Sequence, residues 1–131
     1  LIDYETFCGA ISDDAAEAAA GSTISVVQLE HMLKEREEGT RDFVLIDVRE
    51  PNEYEINRIP GSVLIPKGDF LNGSALEQLP SDKQIVMHCK SGVRSAETLA
   101  IVKGAGYADA VHVGGGVVAW VNQVDPSQPS Y

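Results

Sequence analysis

The stretch Gln84-Ile-Val-Met-His-Cys-Lys-Ser-Gly-Val-Arg-Ser95 runs from an apolar segment, through a cysteine and a glycine-containing loop, into a series of helix formers. Gln84 to His88 reads as a strand buried on both faces, and Ser95 to Lys103 as a helix closed by Gly104 and Gly106. The same alternation extends outward in both directions. Upstream, Phe43-Val-Leu-Ile-Asp47 and Val63-Leu-Ile65 are short apolar runs, and the turn residues Pro51-Asn52 and Pro60-Gly61 bracket a helical turn around Glu53 and Tyr54. Ser25 with Gln28 makes a capping box and Ile24 with Leu29 a hydrophobic staple, which predicts a helix from Val26 to Glu38 stopped at Gly39. A weaker helix over Phe70 to Leu79 is interrupted at Asn72-Gly-Ser74. Downstream, Ala110 to Val113 forms a fourth strand, and Gly114 to Gly116 turns into a helix over Val117 to Asn122. Strands alternating with helices predict an α/β fold, a central mostly parallel sheet with helices on both faces and its chemistry at the carboxyl ends of the strands.

The 131 residues suffice for one domain of this kind, and 44% apolar content gives it a core without metal or disulfide staples. Twenty acids against ten bases, a net charge of −10, argue against attraction to nucleic acid or an anionic membrane surface. Five of the acids (Asp3, Glu5, Asp13, Asp14 and Glu17) precede residue 22, where there is no base. Residues 1–23 divide into an aromatic-bearing strip, with Tyr4, Phe7 and Cys8, and an Ala-, Asp- and Ser-rich stretch that reads as a flexible linker. The expected organisation is therefore linker over 1–23, folded domain over 24–124 and C-terminal tail over 125–131. A first residue of Leu rather than Met suggests excision from a longer chain. Two distant cysteines, no signal segment and no long apolar run predict a reducing, cytoplasmic setting.

Cys89 stands where a strand ends and a helix begins. Three effects there favour its anion: the open N–H groups of the helix start, a loop whose Gly92 lets amides turn inward, and the cations Lys90 and Arg94. From Lys83 to Arg94 there are three bases and no acid, which predicts a local electropositive pocket. A free thiol titrates near ~8.5, and such surroundings favour thiolate at neutral pH. Cys89 is thus a nucleophile by position, and Lys90, Ser91, Gly92, Val93 and Arg94 are the candidate anion-binding loop. His88 adjoins Cys89, but strand neighbours point to opposite faces, so it reads as a core residue rather than the base of a Cys-His pair. Asp47 and Arg49, at the end of the first core strand, read as an ion pair bracing loops rather than as substrate contacts. His31 and His112 lack a second ligand at metal spacing, so no metal site is predicted. Gly114 to Gly116 lacks the marks of a phosphate loop and reads as a backbone turn. Cys8 reads as a packed small residue, and Trp120 and Tyr107 as core.

Taken in order, Leu45-Ile-Asp-Val-Arg-Glu50, Glu53-Tyr54, Arg58-Ile-Pro-Gly-Ser62, the Cys89 to Arg94 loop, and Val113-Gly-Gly-Gly116 with Trp120 resemble single rhodanese-like sulfurtransferase domains. The resemblance covers Ser25 to Val124. It implies that Cys89 accepts a sulfane sulfur, from thiosulfate or a cysteine-desulfurase persulfide, and holds it as a persulfide. One departure is Asn57-Arg58, where the family usually has Gly-His before Ile-Pro-Gly. The strip Asp3-Tyr-Glu-Thr-Phe-Cys-Gly9 is similar to the tail of the adenylating domain in MoeZ-like enzymes, where a rhodanese domain follows it in the same chain. That likeness implies, as partner, a small ubiquitin-like sulfur carrier protein ending in Gly-Gly, thiocarboxylated for molybdopterin or a related sulfur metabolite. ATP and zinc would belong to the adenylating domain, and this domain would need no cofactor. A rival reading is a phosphatase or arsenate reductase of the Cys-x5-Arg kind. Only four residues separate Cys89 from Arg94, however, and the smaller cradle suits sulfur better than a tetrahedral phosphate. A catalytically idle docking module is the third reading.

Overall fold

The computed structural model describes residues 22–130. Five parallel strands, β1 (Thr23–Ile24), β2 (Phe43–Asp47), β3 (Val63–Leu64), β4 (Gln84–His88) and β5 (Val111–Val113), form one sheet in the order β1-β5-β4-β2-β3. The helices are α1 (Val26–Glu37), α2 (Pro51–Ile56), α3 (Lys67–Leu71), α4 (Val93–Gly104) and α5 (Gly116–Gln123), with a 3-10 turn at Ser74–Gln78. The expected α/β sheet, covered on both faces, is what the chain forms.

Alternation along β4 divides the core. Ile85, Met87 and Cys89 face a cluster completed by Phe70 of α3, Leu79, and Leu99 and Val102 of α4. Val86 faces the other layer, with Val26, Leu29 and Met32 of α1 and Val117, Trp120 and Val121 of α5. The first helix starts as expected: Gln28 N–H donates to Ser25 Oγ (3.1 Å) and Ser25 N–H to Gln28 Oε1 (2.8 Å).

Several boundaries differ from the sequence expectation. Ser22 and Thr23 belong to the fold rather than to a linker, because β1 pairs with β5 and His112 N–H donates to Ser22 O (3.0 Å). A two-residue strand is too short to show periodicity, and the alanine-rich residues before it conceal it. The weak helix is interrupted where expected, at Gly73, whose φ of 87° ends α3 and opens the 3-10 turn, but it starts three residues early, at Lys67. Helix α4 begins at Val93, two residues early, because Gly92, with φ 119°, replaces a side-chain cap. The segment after α5 is fastened: Gln128 exchanges two hydrogen bonds with the backbone of Arg58 (2.9 and 2.8 Å), and Asn57 Nδ2 donates to Pro129 O (2.7 Å). Asn57-Arg58 therefore receives the C-terminal segment. The strip around Cys8 lies outside the described residues.

Asp47, Arg49 and His88 are fully buried behind the site loop. Arg49 donates from Nε and Nη2 to the Asp47 carboxylate (2.9 and 2.7 Å) and from Nη1 and Nη2 to Asn57 Oδ1 and O (2.9 and 2.7 Å). Each charge meets a partner, as burial demands. His88 Nε2 lies 3.9 Å from Asp47 Oδ2, and burial holds the imidazole below its ordinary 6.5, outweighing the pull of Asp47. Its unfolded counterpart takes up a proton near ~6.5 while the folded ring does not, so stability is full above that pH and falls below it. Urea unfolding between pH 6.5 and 5.5 should show a loss approaching ~1.4 kcal/mol per pH unit from this ring, reduced in His88→Asn. Equal slopes in the two proteins would refute that assignment.

Candidate active site

The site is built by α5 as much as by the loop. Val117 and Val118, in the first turn of α5, donate N–H to the carbonyls of Cys89 and Lys90 (2.9 and 3.0 Å). Those amides would otherwise lack intrahelical partners. The approach is possible because residue 116 is glycine: a Cβ there would stand 2.6 Å from Lys90 O and closer still to Cys89 O. With two loop carbonyls turned toward α5, the following peptide turns back. Gly92 N–H then donates to Cys89 Sγ (3.0 Å), and its positive φ lets the chain enter α4 immediately.

Cys89 is 1% exposed, at the floor of this cradle, while Lys90, Ser91, Gly92, Val93 and Arg94 are partly exposed around it. Two of the three bases in the expected electropositive pocket meet carboxylates. Arg94 is gripped by Glu53 of α2 through two hydrogen bonds (2.7 and 3.0 Å), and Lys83 lies 3.4 Å from Asp42. The sequence run from Lys83 to Arg94 contains no acid, but both carboxylates arrive from other segments.

Ser95, read from sequence only as a helix start, lies against the sulfur, with His112 behind it. Cys89 Sγ is 3.7 Å from Ser95 Oγ, which is 2.8 Å from His112 Nδ1, whose Nε2 is 3.1 Å from Thr23 Oγ1. Burial lowers the pKa of His112 below 6.5. Only the pairing of β5 with its neighbours brings position 112 to position 95, and no spacing in the sequence signals it. His88 is on the opposite face of β4 from the sulfur, and its Nδ1 approaches the Cys89 carbonyl (3.3 Å). Asp47 and Arg49 brace the ends of the strands and are not in the cradle. Among the described residues, no group of three or more His, Cys, Asp or Glu side chains could hold a metal ion.

The rhodanese-like domain family matches residues 26–123. The chain belongs to that family. It is 50% identical over its whole length to "Probable adenylyltransferase/sulfurtransferase MoeZ" of Mycobacterium tuberculosis, of which it spans 32%. It is 32% identical over 88 residues to a protein of Allochromatium vinosum named "Sulfurtransferase", covering 67% of this chain and 80% of that one. The rhodanese-like domain protein of Staphylococcus aureus superposes with a TM-score of 0.66 at 29% identity, over 76% of this chain and 90% of that one. No described helix is long and apolar enough to cross a membrane.

The ion pair sets an electrostatic expectation. Glu53→Gln removes the carboxylate charge from the Arg94 pair and should speed iodoacetamide alkylation of Cys89 at pH 7 by a factor of about three to ten. Arg94→Ala leaves the carboxylate and should slow it similarly. Unchanged rates in both variants would show that this pair does not influence the sulfur.

Proposed function

We propose that the domain is a sulfurtransferase that carries sulfane sulfur as a persulfide on Cys89. The observation that carries this reading is the sulfur at the floor of a six-residue loop with the Gly92 amide directed at it. In the first half-reaction the Cys89 thiolate attacks the outer sulfur of thiosulfate, or of a cysteine-desulfurase persulfide. The Cys89 S–S bond forms and sulfite or a thiolate departs. The Gly92 amide, pre-aimed at the sulfur, offers the persulfide anion a hydrogen bond without reorganisation.

The relation to MoeZ supports a more specific role, with an adenylating domain in the same chain, and the setting we propose is the cytoplasm. There the terminal sulfur attacks the acyl-adenylate carbonyl at the Gly-Gly end of a small ubiquitin-like sulfur carrier, and AMP leaves. A reducing thiol cleaves the resulting acyl disulfide to the thiocarboxylate, for molybdopterin or a related product. The residues of this domain supply nucleophile and amides. ATP binding and zinc are assigned to the adenylating domain.

Phosphatase chemistry is disfavoured by a specific contact. A Cys-Arg phosphatase needs its guanidinium on the phosphoryl oxygens, and here both terminal nitrogens of Arg94 are on Glu53. A docking role alone leaves the cradle around Cys89 without purpose.

Intact mass after incubation with thiosulfate should show the gain of one sulfur, reversed by a reductant, retained in Cys8→Ser and lost in Cys89→Ser. p-Nitrophenyl phosphate should not be hydrolysed. Sulfur mapped to Cys8, or phosphatase turnover that depends on Cys89, would overturn the proposal.

A further inference from the structure

Cys89 must lose a proton before it can attack, yet the residue is 1% exposed and belongs to the buried cluster that includes Phe70, Leu99 and Val102. Ser95, beside it, is fully buried, and His112 is 5% exposed. The next group in line, Thr23 on the edge strand β1, is exposed. The contacts Sγ–Oγ 3.7 Å, Oγ–Nδ1 2.8 Å and Nε2–Oγ1 3.1 Å are continuous from the buried sulfur to the surface.

We propose that Ser95, His112 and Thr23 form a proton conduit that carries the Cys89 thiol proton to solvent and then holds the Ser95 hydroxyl toward the sulfur anion. With the thiol protonated, S–H points to Ser95 Oγ, Ser95 O–H to His112 Nδ1, the shorter of its two acceptor contacts (2.8 Å, against 3.2 Å to Gly92 O), and His112 Nε2–H to Thr23 Oγ1. On ionisation the S–H bond breaks as an O–H bond forms on Ser95. The former Ser95 proton passes to Nδ1, and the Nε2 proton leaves to Thr23 and from its hydroxyl to water. Sulfur keeps the electron pair, the imidazole changes tautomer and stays neutral, and nothing is oxidised. Every bond of the chain has then reversed. Thr23 O–H donates to Nε2, Nδ1–H to Ser95 Oγ, and Ser95 O–H to the thiolate, beside the amide of Gly92. Sulfur transfer returns Cys89 as thiolate, so this polarity persists through turnover.

The surroundings of His112 suit a ring that shuttles rather than stores a proton. It faces Thr23 from β1, Ser95 from α4 and, at its Cε1, Gly92 of the loop, and it lies in register with Met87 of β4. Lys103 of α4 is tied into the same corner through Ser22 Oγ (2.6 Å). Burial favours the neutral imidazole, which has one nitrogen to accept and one to donate. His112 is thus a positioning residue that acts through Ser95, and this role rests on the reading of Cys89 as the nucleophile.

The test is the pH profile of iodoacetamide alkylation, mapped to Cys89, for the 131-residue chain and its Ser95→Ala, His112→Asn and double variants. Each single variant should move the midpoint upward by about one unit, a tenfold loss of thiolate below it. The double variant should move it no further, because both substitutions cut one chain. If His112→Asn does not melt cooperatively, Thr23→Val takes its place. An unshifted profile in Ser95→Ala, or shifts that add in the double variant, would overturn the hydrogen bond from Ser95 to the thiolate, and with it the reversed chain on which the conduit rests. Sulfur uptake from thiosulfate by the unsubstituted chain is read in parallel. Its absence refutes the sulfurtransferase reading, whereas uptake with unshifted profiles refutes the conduit alone.

Discussion

Two hydrogen bonds hold the site together: from the amides of Val117 and Val118, at the start of α5, to the carbonyls of Cys89 and Lys90. Each solves a problem on both sides. The helix start has amides without partners, and the loop has carbonyls that, turned inward, would face a sulfur anion. Joining them leaves the inside of the loop to N–H groups. The arrangement depends on the missing Cβ at Gly116 and, behind that, on β5 ending where it places α5 against the loop. The whole order of strands is thereby linked to the direction of one peptide.

Charge contributes differently from what a linear reading suggests. In a chain of net charge −10, a run of bases without acids invites an account in which cations stabilise the sulfur. The fold assigns Arg94 to Glu53 and Arg49 to Asp47, so these guanidinium groups anchor α2 and the strand ends. The groups in hydrogen-bond contact with the sulfur are dipolar: Gly92 N–H, which donates to it, and Ser95 Oγ, which accepts from it. Such groups suit a carrier that must stabilise an anion and later release its outer sulfur, since they do not trap it in a strong ion pair.

Local features were legible in sequence. The capping box at Ser25, the apolar runs of β2 and β4, and the passage from Cys89 through a glycine into a helix each depend on residues a few positions apart, and each is present, the last helix starting two residues early. Features that depend on tertiary approach were not. Glu53 reaches Arg94 across 41 positions, and Thr23 reaches His112 across 89, through pairings that no periodicity records. The Gly114 to Gly116 run was readable as a turn, but the close approach that requires Gly116 was visible only once α5 lay against the loop.

The account is tested most directly at the loop amides. In a two-dimensional amide nuclear magnetic resonance spectrum, loading with thiosulfate should shift the Gly92 N–H strongly and reversibly, as its acceptor changes from thiolate to persulfide. The amides of Val117 and Val118, committed to the loop carbonyls, should stay protected from exchange and move little. A Gly92 amide indifferent to sulfur loading, or α5 amides that exchange freely, would contradict the claim that α5 holds the loop open to receive sulfur.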